Sequence, residues 1–174
     1  LELYLCPFNA YTQELLNPNS NLAAFRPHLT ILTVLTQDIA PELLTGFGGL
    51  SGEQVGHVIQ RVTSELELLL QSFREHVSGQ LVVQTFDYPD DPAMGIADTT
   101  LECGQRDSIS RINQVIRHNS IHHPSISVVV MDELIRKTGS ERWYDPVRGE
   151  TAGLPFQHEA MTRICQSWLR FVVA

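Results

Sequence analysis

The chain has 174 residues, which is typical of one domain and enough to bury a core without a metal or a disulfide. Its net charge is −8, and this argues against binding to the phosphate backbone of nucleic acids. No apolar run approaches about 18 residues, so we expect no membrane span. Cys6, Cys103 and Cys165 lie far apart and show no CxxC spacing, which predicts reduced thiols in a cytoplasmic protein.

Hydrophobic periodicity alternates along the chain between the pattern of a strand and that of a helix. The predicted strands are residues 1–5, 28–35, 81–86 and 126–130. The predicted helices are residues 10–16, 51–78, a helix capped by Ser108, a helix capped by Asp132 that ends near Gly139, and a last helix opened by Pro155. Residues 87–105 form a loop long enough to be functional or disordered. This order predicts a single α/β domain over residues 1–174, built as a three-layer α-β-α sandwich around a parallel sheet.

Ligands of open α/β sheets bind beyond the carboxyl ends of the strands. Four polar segments follow predicted strands, and we expect them to meet at one crevice: residues 7–9, 36–38, 87–103 and 143–148. They offer carboxylates, amides and a guanidinium group. The carboxylates Asp38, Asp87 and Asp132 are, however, also typical of helix caps and loops.

Other motifs with chemical meaning are weak. His118, His122 and His123 fall at a predicted helix end without a further ligand at metal-site spacing, so we expect no metal. The glycine-rich residues 45–52 lack the lysine of a phosphate-binding loop and favour a flexible connector. Neither a G-x-S-x-G elbow nor an Asp-x-Asp-x-Thr motif occurs, so the catalytic set is incomplete. Asp145, Arg148 and His158 lie close together in the sequence, so a polar triad of these three residues is an open hypothesis.

A series of short motifs nevertheless forms a recognisable order. These are YTQELLNP at 11–18, SNL at 20–22, FRP at 25–27, a strand ending at Asp38, Gly95, Ile112-Asn113, DEL at 132–134, Gly139, WYDPVR at 143–148 and LPF at 154–156. In this order and spacing, residues 1–172 resemble the N-terminal domain of FkbH-like proteins. The resemblance implies an SGNH-hydrolase-like domain followed by a haloacid-dehalogenase-type phosphatase domain with an Asp-x-Asp-x-Thr motif. Such proteins act in polyketide pathways, where they load a glyceryl unit derived from a phosphoglycerate onto an acyl carrier protein.

The resemblance also implies a flavodoxin-like or SGNH-like sheet whose first strand is absent from this chain. We therefore expect residues 1–174 to be a piece of a longer polypeptide. In a sheet of order 2-1-3-4-5 the first strand is central. Without it, a gap with unpaired backbone groups is expected between residues 1–5 and residues 28–35.

Site residues are carried over from the SGNH pattern position by position. Gln37 replaces the oxyanion-hole Asn, and Arg148 replaces the His base that would follow Asp145. Arginine stays charged and is no general base, but it binds phosphate or carboxylate well. His158 is the candidate substitute for the base. The predicted residues are thus Asp145 and His158 for catalysis, and Asn9, Gln37, Asp38 and Arg148 for ligand binding.

The expected function is to assist loading of a glyceryl or related acyl unit, with an acyl carrier protein or a covalently linked phosphatase domain as partner and no cofactor in this domain. Carrier proteins are acidic like this chain, so a basic patch of Arg136, Lys137, Arg142 and Arg148 is expected to dock them. One alternative is an SGNH-like esterase or acyltransferase whose Ser lies upstream of residue 1, with Asp145 orienting a base. Another is a non-catalytic interaction or oligomerisation module with residues 87–105 as contact surface.

Overall fold

The computed structural model describes residues 2–173, apart from the side chains at positions 146, 150, 152 and 173. One sheet has the order β1-β2-β3, formed by Leu29–Leu32, Gln80–Gln84 and Ile126–Val129. The α-helices are α1 Tyr11–Leu16, α2 Asn21–Phe25, α3 Thr36–Ile39, α4 Gly52–His76, α5 Gln105–His122, α6 Met131–Thr138, α7 Pro146–Ala152 and α8 His158–Val173. The predicted α/β class and the parallel sheet of the predicted sandwich are confirmed.

The chain divides into two compact units, Leu1–Val128 and Val129–Ala174. The first holds helices α1 to α5, and the second holds α6 to α8. Within the described residues, no helix is both long and apolar enough to cross a bilayer.

Helix α4 organises the core of the first unit. Its predicted capping box is present: the Ser51 hydroxyl accepts from the Gln54 amide at 3.2 Å, and the Gln54 side chain accepts from the Ser51 amide at 2.8 Å. The predicted apolar stripe turns inward, so that α4 packs against α1 and α5. The buried members of this stripe are Val55, Val62, Leu66, Leu69, Leu70 and Phe73.

The turn after α4 brings β2 against β1. Gly79 has a φ of +91°, and a Cβ there would collide with the carbonyl oxygens of Pro27 and His28. The absence of a side chain therefore allows the Gln80 amide to donate to the His28 carbonyl at 2.9 Å. From this contact β1 and β2 run parallel, with Leu29 opposite Gln80.

The strand predicted at residues 1–5 is wrong for the described part of that segment. Residues 2–5 form no strand, and Leu1 lies outside the described residues. Alternation of apolar and polar side chains suits a strand, but a strand also needs a neighbour for its backbone hydrogen bonds.

Two predicted helix caps are also wrong. Helix α5 begins at Gln105 rather than after Ser108, whose buried hydroxyl donates to the Gly104 carbonyl at 2.7 Å inside the first turn. Helix α6 begins at Met131 after Val130, so that Asp132 lies in its first turn, where a negative charge favours the helix dipole.

Further differences concern segments near predicted loops. Residues 36–39 form the short helix α3, and residues 146–152 form α7. The last helix starts at His158, because residues 155–157 first pair with the segment before α7: the Asp145 amide donates to the Pro155 carbonyl at 2.7 Å, and the Gln157 amide donates to the Trp143 carbonyl at 2.9 Å.

The second unit has its own packing. Tyr144 and Phe156 form an antiparallel bridge, and the rings of Trp143 and Phe156 meet edge to face with centroids 6.0 Å apart. Helices α6 and α8 pack together. The bridge therefore joins the segments on either side of α7, while α6 and α8 pack against each other.

Candidate functional site

The carboxyl ends of β1 and β2 meet at one edge of the first unit. Thr36 follows β1 and begins α3, and Asp87 follows β2. The Thr36 hydroxyl lies 3.2 Å from Asp87 Oδ1 and donates to it. Two of the four predicted strand-end segments are thus in direct contact.

Asn113 of α5 fixes the backbone just before Asp87. Its side-chain oxygen accepts from the Phe86 amide and its side-chain nitrogen donates to the Phe86 carbonyl, both at 2.8 Å. Phe86 has left the β ladder, so this amide replaces the strand partner that its backbone lacks. The side chain of Asn113 is buried, so these two hydrogen bonds fix the backbone of Phe86 away from water.

Gln84, also at this end of β2, carries an unusual polar atom. Its side chain is buried, and its Oε1 has no hydrogen-bond partner within the described residues. Neither Gln84 nor Asn113 was predicted as a site residue, although Asn113 belongs to one of the motifs that carry the resemblance. The sequence signal for Gln84 was a polar residue inside an apolar strand, and the signal for Asn113 was an amide on the apolar face of a helix. Polar side chains at such positions need hydrogen-bond partners.

The predicted ligand-binding residues Asn9, Gln37 and Asp38 all lie in the first unit. Asn9 is exposed just before α1 and has a left-handed φ of 56°. Gln37 is half-buried and Asp38 is exposed, both in α3. Burial raises the pKa of Tyr11 at the start of α1, and the charges of Glu65 and Asp38 raise it further.

The charge at this edge is negative. Arg61 of α4 does not offset it for a ligand, because its guanidinium group already donates to the Ile39 carbonyl at 3.0 Å and pairs with Glu42 at 3.1 Å. Two further carboxylates lie at this edge: Asp38 in α3, and Asp87, which accepts a hydrogen bond from Thr36 at the start of α3. The edge therefore disfavours a phosphate or carboxylate ligand and favours hydroxyl or amide groups.

The loop after β2 is held firmly in place. Asp98 is buried and caps α5, accepting from the amides of Gln105 at 2.6 Å and Arg106 at 3.2 Å. The Gln105 side chain donates to the Leu43 carbonyl and accepts from the Ala93 amide. Gly104 leaves room for Asp98, since a Cβ there would meet the Asp98 carbonyl oxygen. These contacts tie the loop to the start of α5 and to Leu43.

Asp145 and Arg148 lie together in the second unit. Asp145 caps α7, and its Oδ1 accepts from the Arg148 amide at 3.0 Å. Its Oδ2 lies 3.9 Å from Arg148 Nε. The carboxylate thus holds both the backbone and the guanidinium group of Arg148.

His158 is the exposed first residue of α8. Its carbonyl accepts from the Thr162 hydroxyl at 2.9 Å. No hydrogen bond joins the Asp145 carboxylate to the His158 ring in the part of the second unit that the structure describes. The two predicted catalytic residues consequently lie in one unit and share no hydrogen bond among the residues that the structure describes.

Histidine, cysteine and carboxylate side chains do not converge in a group of three or more anywhere among the described residues. His118 and His122 stack with ring centroids 4.1 Å apart, and His122 Nδ1 is 2.8 Å from the His118 carbonyl. This ring nitrogen is therefore used within α5.

Comparison with known proteins gives one informative match. No protein-family model matches the chain, and no curated protein matches it. The chain is similar to a crystal structure of the N-terminal part of the protein BF1531 from Bacteroides fragilis, which contains a phosphatase domain and is complexed with Mg. The match has a TM-score of 0.72 at 15% identity, and it covers 90% of this chain and 39% of that chain. The chain therefore shares its fold with a portion of that phosphatase-containing protein.

Proposed function

We propose that the chain is the SGNH-like α/β domain of a longer FkbH-like polypeptide that also carries a phosphatase domain. In this role it holds an acyl carrier protein while a glyceryl or related acyl unit is loaded. The observation that carries the proposal is the fold match, over 90% of the chain, to part of a protein containing a phosphatase domain.

The absence of a phosphatase nucleophile motif supports a binding role for this domain and a catalytic role for the phosphatase domain. An Asp-x-Asp-x-Thr motif is absent from residues 1–174. The phosphoryl chemistry of the proposed polypeptide therefore belongs to its other domain, and this domain supplies binding and positioning.

The distribution of charge favours the second unit as the carrier-docking part. Residues 1–128 contain six Arg and Lys against 14 Asp and Glu, whereas residues 129–174 contain six of each. The whole net charge of −8 thus belongs to the first unit. An acidic carrier protein meets repulsion at the first unit and none, on balance, at the second.

Helix α6 carries the cations best suited to this contact. Arg136 and Lys137 are exposed in its last turn. By contrast, Arg142 pairs with Glu159 at 2.6 Å, and Arg148 is shared with Asp145. Of the four residues in the predicted basic patch, Arg136 and Lys137 are those without an ion pair within the described residues.

The test is a titration of the isotope-labelled chain with the acyl carrier protein from its own pathway, followed by NMR. We expect the shifts to concentrate at α6. Arg136→Glu should weaken binding about tenfold, because it replaces attraction by repulsion at the rim of the interface. Arg117→Glu is the matched control, since Arg117 is an exposed cation on α5 in the acidic unit. Absence of shifts, or equal weakening by both variants, would contradict the proposal.

A further inference from the structure

The carboxyl-terminal ends of α4 and α5 carry basic side chains that the proposed function does not use. On α5, the exposed rings of His118 and His122 lie one turn apart and stack with centroids 4.1 Å apart. In the last turn of α4, the Arg74 guanidinium group donates to the side-chain oxygen of Asn119 at 2.9 Å. This hydrogen bond joins the two helix ends and places the Arg74 charge beside the last turns of α5.

His123 lies directly after α5 and is affected by the same charges. Its carbonyl accepts from the Ile126 amide at 2.9 Å, so this residue leads from α5 into β3. Its side chain is half-buried. Burial lowers the pKa of this imidazole below the usual 6.5, and the positive charges of Arg74, His122 and His118 lower it further. These four basic side chains, from two helix ends and the residue that follows α5, are the basic cluster of the first unit.

Acidic side chains do not offset the basic cluster within the described residues. Its members form no ion pair there. Glu75 follows Arg74 along α4, but it is exposed and accepts from the Gln71 side chain at 2.8 Å. The other titratable groups at the two helix ends, His76 and Arg117, are also basic. Protons taken up by the cluster therefore meet only further positive charge.

Other acidic residues near α5 lie at its opposite end. Asp98 caps the helix there, and Asp107 lies in its first turn. Glu42 belongs to the segment 41–43, which contacts the same end of α5. From Asp107 to His118 the helix rises about 16 Å, which is twice the Debye length of about 8 Å at physiological ionic strength. These carboxylates are therefore screened from the basic cluster.

We propose that the basic cluster is a pH-sensitive contact between α4 and α5, closed while its imidazoles are neutral and opened by their protonation. The carboxyl end of a helix favours a nearby cation, and Arg74 already supplies one. Each proton that the histidines take up adds a positive charge beside Arg74 with no carboxylate to pair with. Repulsion then acts on the hydrogen bond from Arg74 to Asn119 and on the last turn of α5. Opening there also displaces His123, where the chain turns toward β3.

Amide hydrogen exchange of the chain at two pH values, corrected for the intrinsic pH dependence of exchange, tests the proposal. Because the pKa of His123 is lower in the folded state, its contribution to stability is fully present above pH 6.5 and is lost as the pH falls through the folded-state pKa. Between about pH 7.5 and about pH 5, the protection of the His122 and His123 amides should fall about tenfold relative to that of the buried Ile112 in the middle of α5. An equal change at all three amides, or no change, would overturn the proposal.

Arg74→Gln separates an effect of charge from a merely structural role. NMR titration of the imidazole signals should show the pKa of His123 raised in this variant but still below 6.5, since burial is the largest cause of its shift. Arg74→Lys keeps the charge and should leave the pKa of His123 lowered. His123→Gln should reduce the pH dependence of exchange, whereas the matched control His57→Gln, at an exposed position of α4 outside the cluster, should leave it unchanged. An unaltered His123 titration in Arg74→Gln, or equal effects of the two histidine variants, would refute the pH-sensitive contact.

Discussion

Single polar side chains hold the strand edge of the first unit in place. Asn113 satisfies both backbone groups of Phe86, and Asp98 satisfies two amides at the start of α5. Asn113 acts just after the end of β2, and Asp98 acts at the start of α5, where the first amides have no partner within the helix. Their loss would leave buried donors and acceptors without partners, which is more costly than the loss of an exposed hydrogen bond.

Asn113→Ala should lower the free energy of unfolding by about 2–4 kcal/mol, because two buried backbone groups of Phe86 lose their partners. Urea unfolding measures the effect. Gln114→Ala, one position along α5 on its exposed side, should change the value by less than about 0.5 kcal/mol. A loss from Asn113→Ala no larger than that of the control would contradict the supporting role of this amide.

Glu14 and Tyr4 form a second polar contact with a pH signature. The buried Glu14 carboxylate accepts from the Leu22 amide and from the Tyr4 hydroxyl, each at 2.8 Å. Burial raises the pKa of Tyr4 above its usual 10.0, and the hydrogen bond and charge of Glu14 raise it further. The neutral phenol is therefore favoured in the folded state.

The stabilising contribution of Tyr4 should be fully present below pH 10.0 and be lost as the pH rises through its folded-state pKa. Tyrosinate absorbance during alkaline titration, with Tyr4→Phe to assign the signal, measures that pKa. Glu14→Gln should lower it while leaving it above 10.0, since burial remains the largest cause of the shift. An unchanged Tyr4 titration in Glu14→Gln would show that the carboxylate does not act on the phenol.

The sequence predicted polar residues at the strand ends but not which of them make contacts. The Thr36–Asp87 hydrogen bond joins residues 51 positions apart, and the bond from Gln105 to Leu43 spans 62 positions. Local spacing carries no information about such distant partners.

At the scale of elements, sequence patterns predicted a helix correctly where its cap and its buried face both depend on residues of the same helix. The capping box of α4 and its apolar stripe were both predicted, since both depend on spacing along one helix. The caps at Ser108 and Asp132 were wrong because a distant side chain, Asp98, and the end of β3 set those helix starts. The segment Asp145-Pro146 contains a helix signature, an N-cap followed by proline, although no helix was predicted there.

Ser51→Ala should lower the free energy of unfolding by about 1 kcal/mol, because it removes the acceptor for the Gln54 amide at the start of α4. Ser64→Ala, an identical change at an exposed position within the same helix, should be neutral or slightly stabilising because alanine favours helix interiors. Thermal unfolding of Ser51→Ala and Ser64→Ala, each compared with the unmodified chain, measures the two changes in stability. Equal effects would indicate that the cap contributes nothing to the stability of α4.

At the scale of the whole molecule, charge is distributed unevenly between the two units. Residues 1–128 carry the whole net charge of −8, whereas residues 129–174 are neutral. The parallel α/β class was predictable because alternation of strands and helices extends over the whole chain. The division into two units was not, since no run of glycine, proline or charge marks residue 128.

The intact mass and peptide sequence of the natural polypeptide, isolated from its source, test most directly whether this chain is one domain of a longer protein with a phosphatase domain. We expect a polypeptide well above 19.6 kDa that includes an Asp-x-Asp-x-Thr segment outside residues 1–174. A natural, stably folded product of 19.6 kDa, or a longer one without that motif, would contradict it.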